Sequence, residues 1–362
     1  MPYGGSTNCK FIKGGSIMGN LRYDMKEACL NHTYADGAGK QIQDNDSARI
    51  YRKSINSFCL WIKNTYKINN IRQLEKAGGA LKYVQEYEQK LETQGKSAST
   101  IHTYLSPICK GLGIHLNEIE KPHRNATEII RSRNVDSNRQ GKKDVQNQKY
   151  RRLVEFQQMV GLRRSELARL KVGDVARDER GYFCISVSRG KGGKAQLQRI
   201  LPEDIPAVKE IIKSAVAAAR SSGMPYDEIK LFTPVELKNK IDLHGMRAAQ
   251  ARKAYAYYLD RCKTADGKEK IRQELVDRWN VCHGEKERIR ASGDGYTAFS
   301  SAARRFIREF SMAGKYELRG DNKIRALASG RPIIYDRTAL LAVSVFHLSH
   351  WRNDVTVKHY ML

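Results

Sequence analysis

Six side chains in this sequence have types and settings that could serve one reaction. Arg163 lies in Gly161-Leu162-Arg163-Arg164-Ser165-Glu166-Leu167, at a turn leading into a helix. Lys191 lies at the tip of the turn Arg189-Gly190-Lys191-Gly192-Gly193-Lys194. His244 and Arg247 are three residues apart on a helical stretch, which puts both on one face. His350 follows Leu348-Ser349, and Tyr360 comes ten residues later. A phenol becomes a nucleophile once its proton is removed. Two guanidinium groups can hold the non-bridging oxygens of a phosphodiester, and an amine can give a proton to a leaving oxygen. The set suits transfer at a phosphate.

Each group alone has a plainer reading. An arginine in a basic chain is usually a solvated charge or a phosphate contact. A Gly-Lys-Gly-Gly-Lys turn is usually a hairpin tip, and this one lacks the G-x-x-x-x-G-K-[ST] spacing of a nucleotide-binding loop. The background favours the chemical reading. Among 362 residues, Lys and Arg outnumber Asp and Glu by 65 to 39, a net charge of +26, and the obvious intracellular polyanion for such a field is nucleic acid. With 40% hydrophobic and 29% charged residues a sizeable core can form, which excludes global disorder. No run approaches the ~18 apolar residues of a membrane helix, and Met1-Pro2-Tyr3-Gly4-Gly5-Ser6 does not open a signal peptide. A soluble, cytoplasmic protein is expected. The seven cysteines are scattered without a C-x-x-C pair, so neither a zinc ribbon nor a disulfide framework is supported. No metal and no cofactor are expected.

The elements that must position these groups are mainly helical. Residues 1–45, Gly- and Ser-rich at the start, read as a flexible basic arm. Residues 46–120 read as a helical domain. Ile50, Tyr51, Ile55, Phe58 and Ile62 recur at helical spacing, and Leu81, Val84 and Tyr87 mark a second helix. The serines at 97 and 99 can cap a third, through Ile101, Leu105 and Ile108. Residues 121–148 lose periodicity and read as a basic linker, either a solvated tether or a segment lying against phosphates. In residues 149–362 a helical stretch through Leu167 precedes a half-buried strand at 182–188 and its return at 197–201. Helices follow at 205–220 and 243–259, then around 268–279 and 297–312. The expected class is mainly α with a small antiparallel β element.

In their order, these boxes resemble the tyrosine recombinases, the phage-type integrases. The run from Gly161 to Val175 is similar to the family's first arginine box, with Arg163 at the matching position, and the 189–194 turn resembles its lysine hairpin, with Lys191 matching. Leu243-His244-Gly245-Met246-Arg247 is similar to the H-x-x-R box. Leu348-Ser349-His350 resembles the family's L-G-H with Ser in place of Gly, and Asp354-Val355-Thr356 leads to Tyr360 as in many integrases. Residues 46–120 look like the core-binding (SAM-like) DNA-binding domain, 149–362 like the catalytic domain, and 1–45 like the place for arm-site DNA binding.

The resemblance implies a site-specific recombinase of a phage or mobile element. It would cleave and rejoin duplex DNA through a covalent 3′-phosphotyrosine, without ATP or metal. Expected partners are duplex DNA bearing recombination sites, three further copies in a homotetramer on that DNA, and accessory DNA-bending or directionality factors, with no membrane. Tyr360 is implied as nucleophile, Arg163 and Arg247 as the phosphate clamp, and Lys191 (alternatively Lys194) as proton donor to the leaving 5′ oxygen. His244 is expected to accept or relay the phenol proton and His350 to bond a phosphate oxygen. Arg164 is expected to face the surface or pack on Glu166, while Glu166 and Asp174 support the fold. His347 lies outside the Leu-Ser-His pattern. Residues 263–337 exceed what a compact member requires and read as a helical insertion, which either meets DNA or a neighbouring protomer or is a peripheral elaboration. Two other functions fit the same groups: a type IB topoisomerase-like relaxing enzyme, and a DNA-binding regulator with decayed chemistry.

Overall fold

The computed structural model describes residues 19–31, 45–123, 147–188, 190, 195–220, 223–238, 241–283, 300–312 and 314–361. The chain divides into two units, Met1–Asn125 and Ala126–Leu362.

In the first unit Asn20 caps α1 (Leu21–Asn31), its side-chain oxygen accepting the Arg22 N–H at 3.0 Å. Leu21, Met25 and Cys29, spaced by four, form the buried stripe of this helix. Residues 21–31, which the sequence places in a flexible arm, therefore belong to a core. Their stripe is only three residues long and sits in a polar stretch, so periodicity alone does not reveal it. Helix α2 (Asn45–Tyr66) buries Ile55, Phe58 and Ile62 as their spacing predicts, but leaves Ile50 43% exposed. Helix α3 (Ile71–Lys76) is capped by Asn70, and α4 (Ala80–Thr93) buries Tyr83, Val84, Tyr87 and Leu91 while Leu81 faces solvent. Helix α5 (Ala98–Leu112) starts at Ser97, whose Oγ accepts the Thr100 N–H at 3.3 Å. Helices α1, α2 and α4 all pack on α5. Gly111 permits a close approach to α1, since a Cβ there would stand 2.7 Å from the Met25 carbonyl oxygen.

The second unit holds the chemistry-bearing boxes. Helix α6 (Arg151–Val160) ends at Gly161, whose φ of +71° is the left-handed conformation a helix C-terminus often takes and glycine adopts freely. One helical turn, α7 (Arg164–Leu167), follows. Then come three antiparallel strands, β1 (Val175–Arg177), β2 (Phe183–Val187) and β3 (Gln196–Arg199), with Ala176 opposite Cys184 and Cys184 opposite Arg199. The antiparallel strand pair expected from the sequence is present, with β1 added ahead of it. The chain continues through α8 (Ile205–Ala219), α9 (Pro234–Leu237), α10 (Leu243–Arg261), α11 (Ala265–His283) and α12 (Ser301–Ser311). It then forms β4 (Lys315–Glu317), α13 (Gly320–Ala328), β5 (Ile334–Asp336), α14 (Arg337–Phe346), α15 (Asn353–Thr356) and a π-helical turn, Val357–Met361. Strands β4 and β5 pair antiparallel, Tyr316 opposite Tyr335, in a second small sheet that no sequence pattern announces. The class is mainly α with a small antiparallel β element.

Two apolar clusters meet at α10. One gathers Phe156, Leu162, Leu167, Ile185 and Phe232; the other gathers Trp279, Phe306, Phe310, Leu341 and Phe346. Each such side chain contributes about 1.5–3 kcal/mol by leaving water. Helix α10 packs on α6 and on α14, and its buried Ala248, Ala251 and Ala254 allow close approach.

A buried ionic cluster ties β3 to α11. Asp178 accepts from Arg199 Nε at 2.6 Å and from Arg278 Nη2 at 2.8 Å. Glu274 accepts from Arg261 Nη2 at 2.7 Å, from Tyr182 Oη at 3.0 Å and from Arg199 Nη1. Burial works to raise the Glu274 carboxyl pKa, but the bonds from Arg261 and Arg199 outweigh it and lower the pKa overall. Among the described residues no helix is long and apolar enough to cross a membrane.

Candidate active site

Helix α10 begins at a cap that also shapes the H-x-x-R box. Asp242 Oδ1 accepts the Gly245 N–H at 2.8 Å, and a Cβ at Gly245 would fall 2.5 Å from Asp242 Oδ2, so only glycine fits without moving the cap. His244 is exposed, and Arg247, one turn on, is fully buried. The Arg247 guanidinium draws three segments together. Nη2 donates to the Leu348 carbonyl oxygen at 3.2 Å, and Nη1 donates to the Gly161 carbonyl oxygen and, at 3.5 Å, to Gln198 Oε1. Its Nε is buried with no acceptor among the described residues. Burial lowers the Arg247 pKa; Tyr360 opposes that shift, Arg163 adds to it and Glu166 opposes it.

Glu166 links the two arginines of the expected clamp. Its Oε2 accepts the Arg163 backbone N–H at 2.7 Å, its Oε1 accepts from Arg163 Nη1 at 2.6 Å, and its Oε2 lies 3.9 Å from Arg247 Nη1. Arg163, Arg164, Asp242, His244 and Arg247 line a recess of about 210 Å³ together with Leu162. Three arginines and a histidine share one recess there, an arrangement suited to an anion.

Tyr360 stands beside it. Its ring, 4% exposed, has His350 Nε2 at 3.1 Å from Oη, the Arg247 guanidinium 5.6 Å from its centroid and the His244 ring 5.6 Å away. Arg252 Nη1 donates to the Tyr360 carbonyl oxygen at 2.9 Å and so tethers the backbone of the π-helical turn. The sequence points to His244 at the phenol proton and His350 at the phosphate; in the structure His350 Nε2 stands at hydrogen-bond distance from the phenol, and the His244 ring lies near the same ring.

The loop carrying His350 is held by Ser344. The His350 N–H donates to the Ser344 carbonyl oxygen at 2.9 Å, and the Arg352 N–H donates to Ser344 Oγ at 2.8 Å. Ser349 and Trp351, on either side of His350, have φ of +55° and +56°. Ser349 therefore occupies a left-handed position that glycine adopts freely. Its Oγ is also buried without a hydrogen-bond partner among the described residues. Left-handed backbone costs a non-glycine residue about 1–2 kcal/mol, while glycine loses about 0.5–1 kcal/mol more on ordering. Ser349→Gly is therefore expected to raise the unfolding free energy by up to about 1 kcal/mol, read from the midpoint of chemical denaturation.

The other residues singled out in the sequence take different places. Lys191 and its alternative Lys194 fall outside the described residues. Arg164, expected to face the surface or pack on Glu166, also reaches two backbone carbonyls. Half-buried, it donates to the Leu237 and Ile241 carbonyl oxygens at 2.6 and 2.8 Å, pinning the chain ahead of α10, because its place on α7 aims it across the recess. Asp174 accepts the Lys171 N–H at 2.8 Å, a turn role. His347 is fully buried, with Gln250 Nε2 3.0 Å from Nδ1 and Tyr258 Oη 3.3 Å from Nε2.

Burial pushes the His347 pKa down to about 3, and Arg199, Arg247 and Arg278 add to the shift. The unfolded ring takes a proton near 6.5, so between those values the unfolded state binds more protons and stability falls as pH falls. This contribution is fully present above about pH 6.5 and declines by at most about 1.4 kcal/mol per pH unit below it. His347→Gln is expected to flatten that part of the stability profile, measured by denaturant titration between about pH 7.5 and pH 5.5, one pH unit on either side of the unfolded imidazole pKa.

Glu166, Gln198 and Arg252 are functional neighbours that the motifs either assign to the fold or do not include. Glu166 carries a local signal, a carboxylate three residues after Arg163, the N-cap of α7. Gln198 and Arg252 carry none. Among the described residues, no three His, Cys, Asp or Glu side chains converge as they would to hold a metal ion.

No protein-family model and no curated protein matches the chain. Among solved structures it is similar to one described as the crystal structure of XerA recombinase, with 14% identity over 86% of this chain and 98% of that one. The TM-score is 0.24, and a likeness that low bears no weight on fold or chemistry.

Proposed function

We propose that the protein is a site-specific DNA recombinase that cuts and rejoins duplex DNA through Tyr360. The observation that carries this reading is the convergence of Tyr360, His350, Arg247 and His244 in one unit of one chain, beside a recess lined by Arg163. A scissile phosphate in that recess meets donors from Arg163 and Arg247, including the Arg247 Nε that has no acceptor among the described residues. Filling such a buried donor recovers about 1–3 kcal/mol otherwise lost to desolvation.

In the proposed step, Tyr360 Oη attacks phosphorus, its proton passes to His350 Nε2, and the P–O5′ bond breaks. The leaving 5′ oxygen takes a proton, for which Lys191 is the proposed donor. The products are a 3′-phosphotyrosine and a free 5′-hydroxyl, so the ester is conserved for rejoining. His244, at the mouth of α10, is assigned to a non-bridging oxygen. Arginine forks stabilise the added charge of the five-coordinate phosphorus. The first unit and the +26 net charge suit sequence-independent grip on duplex DNA, and a tetramer on that DNA, with bending or directionality factors, is the working form we propose.

The reading is tested by incubating purified protein with fragmented DNA, denaturing, and sequencing the fragments that stay attached. Recurrent ends with protein on the 3′ side support it; no attached DNA refutes it. Two separately marked captured sites then distinguish recombination, which yields joint products, from relaxation of one duplex. Arg163→Lys keeps the charge but loses the two-pronged geometry and the fit to Glu166. It is expected to slow attachment by about 10- to 100-fold in single-turnover assays.

A further inference from the structure

Residues 263–337, read from the sequence as an insertion, supply α11 and α12. Trp279 of α11 is fully buried and stacks on Phe306 of α12, with centroids 4.5 Å apart and planes within 10°. His283 stacks on Trp279 at 3.6 Å. Trp351, the residue after His350, meets this stack edge-on, 5.1 Å from Trp279, 5.3 Å from Phe306 and 5.2 Å from His283, with interplanar angles of 86°, 77° and 86°. Edge-to-face is the arrangement that the charge distribution of aromatic rings favours. Helix α12 makes a second contact with the same loop. Glu309 Oε2 accepts from Asn353 Nδ2 at 2.9 Å, and from Arg337 Nη1 at 3.3 Å. Asn353 is fully buried and opens α15, which runs directly into the turn bearing Tyr360.

The His350 loop has no helical ladder of its own and holds two left-handed residues, so contacts from outside must define it. Ser344 provides one. We propose that Trp279, Phe306 and Glu309 are positioning residues that grip Trp351 and Asn353, on the C-terminal side of His350, and so fix its imidazole against the Tyr360 phenol. This rests on the reading of Tyr360 as the nucleophile. It gives the insertion a task inside the site, distinct from contact with DNA and from peripheral elaboration.

The test compares wild type with Trp351→Ala, Trp351→Phe and Phe306→Leu. The readouts are single-turnover covalent attachment to a nicked duplex, gel-shift affinity, and the His350 imidazole resonances of DNA-free protein labelled at histidine. Trp351→Ala is expected to slow attachment about tenfold or more, as misplacement of a reacting group does. Affinity should stay within about twofold, because phosphate contacts elsewhere supply it. The His350 resonances should move. Trp351→Phe restores an aromatic edge and most of the rate. Phe306→Leu, which keeps apolar volume but removes a ring from the stack, lowers the rate and moves the same resonances with Trp351 intact. Unchanged His350 resonances in both Trp351→Ala and Phe306→Leu overturn the inference. A wild-type protein that forms no covalent product overturns the nucleophile reading instead, and the His350 resonances then decide the positioning on their own.

Discussion

On the proposed function, Tyr360→Phe is expected to reduce covalent attachment to a nicked duplex to background while leaving gel-shift affinity within about twofold, since phosphate contacts spread over a basic protein would supply the affinity. The substitution removes one oxygen and with it the 3.1 Å contact to His350. It keeps the ring that packs near His244 and the Arg247 guanidinium, and it keeps the backbone carbonyl that accepts from Arg252. Phenylalanine fills nearly the same volume in a site only 4% exposed, so the fold should persist. Loss of attachment with retained binding separates chemistry from recognition. Attachment that persists in the variant, detected as a denaturation-resistant shift in mobility, means that another side chain is the nucleophile.

The second large effect concerns stability. Asp178 is the only carboxylate, among the described residues, within 4.0 Å of both Arg199 and Arg278, and both guanidinium groups are 2% exposed. Asp178→Ala leaves each with one charge partner fewer in a dry setting. Removing one side of a buried pair costs about 3–5 kcal/mol, a large share of the roughly 5–15 kcal/mol that holds a typical domain together. The same change also removes the acceptor for the Arg180 and Tyr182 N–H groups, which bond Asp178 Oδ1 at 2.9 and 3.0 Å. The expected result is a marked fall in the urea midpoint. Asp178→Asn, which keeps an acceptor but no charge, should fall between. Equal midpoints for wild type and the alanine variant would show that the cluster is neutral to stability.

Much of the candidate site is legible in the sequence because its boxes are local patterns. The helix start that carries His244 and Arg247, the glycine that ends α6 ahead of Arg163, and the strands on either side of the lysine turn all follow from neighbours a few residues apart. Contacts that complete the site do not. Arg247 meets the Leu348 carbonyl across 101 residues of chain, and Arg252 meets Tyr360 across 108. No spacing rule reaches that far. The strands β4 and β5, three residues each, are too short to display alternation, and the buried stripe of α1 has only three members. That His350 meets the phenol is hidden for a different reason. Helical spacing puts His244 on the face of Arg247, but whether the phenol approaches it or His350 depends on how the turn after α15 folds back.

One helix, α10, carries the exposed His244, the buried Arg247, the Gln250 that contacts His347 and the Arg252 that tethers Tyr360. A hydrogen-bonded helix is stiff along its length. A displacement of α10 as a body shifts the Arg247 guanidinium and the tether of the Tyr360 backbone by nearly the same vector. Such motion is common to both and cancels in the distance between them. In the proposed reaction the guanidinium and the backbone anchor of the nucleophile are thus referred to one element, and motion of the Val357–Met361 turn relative to α10 is what changes the gap between them.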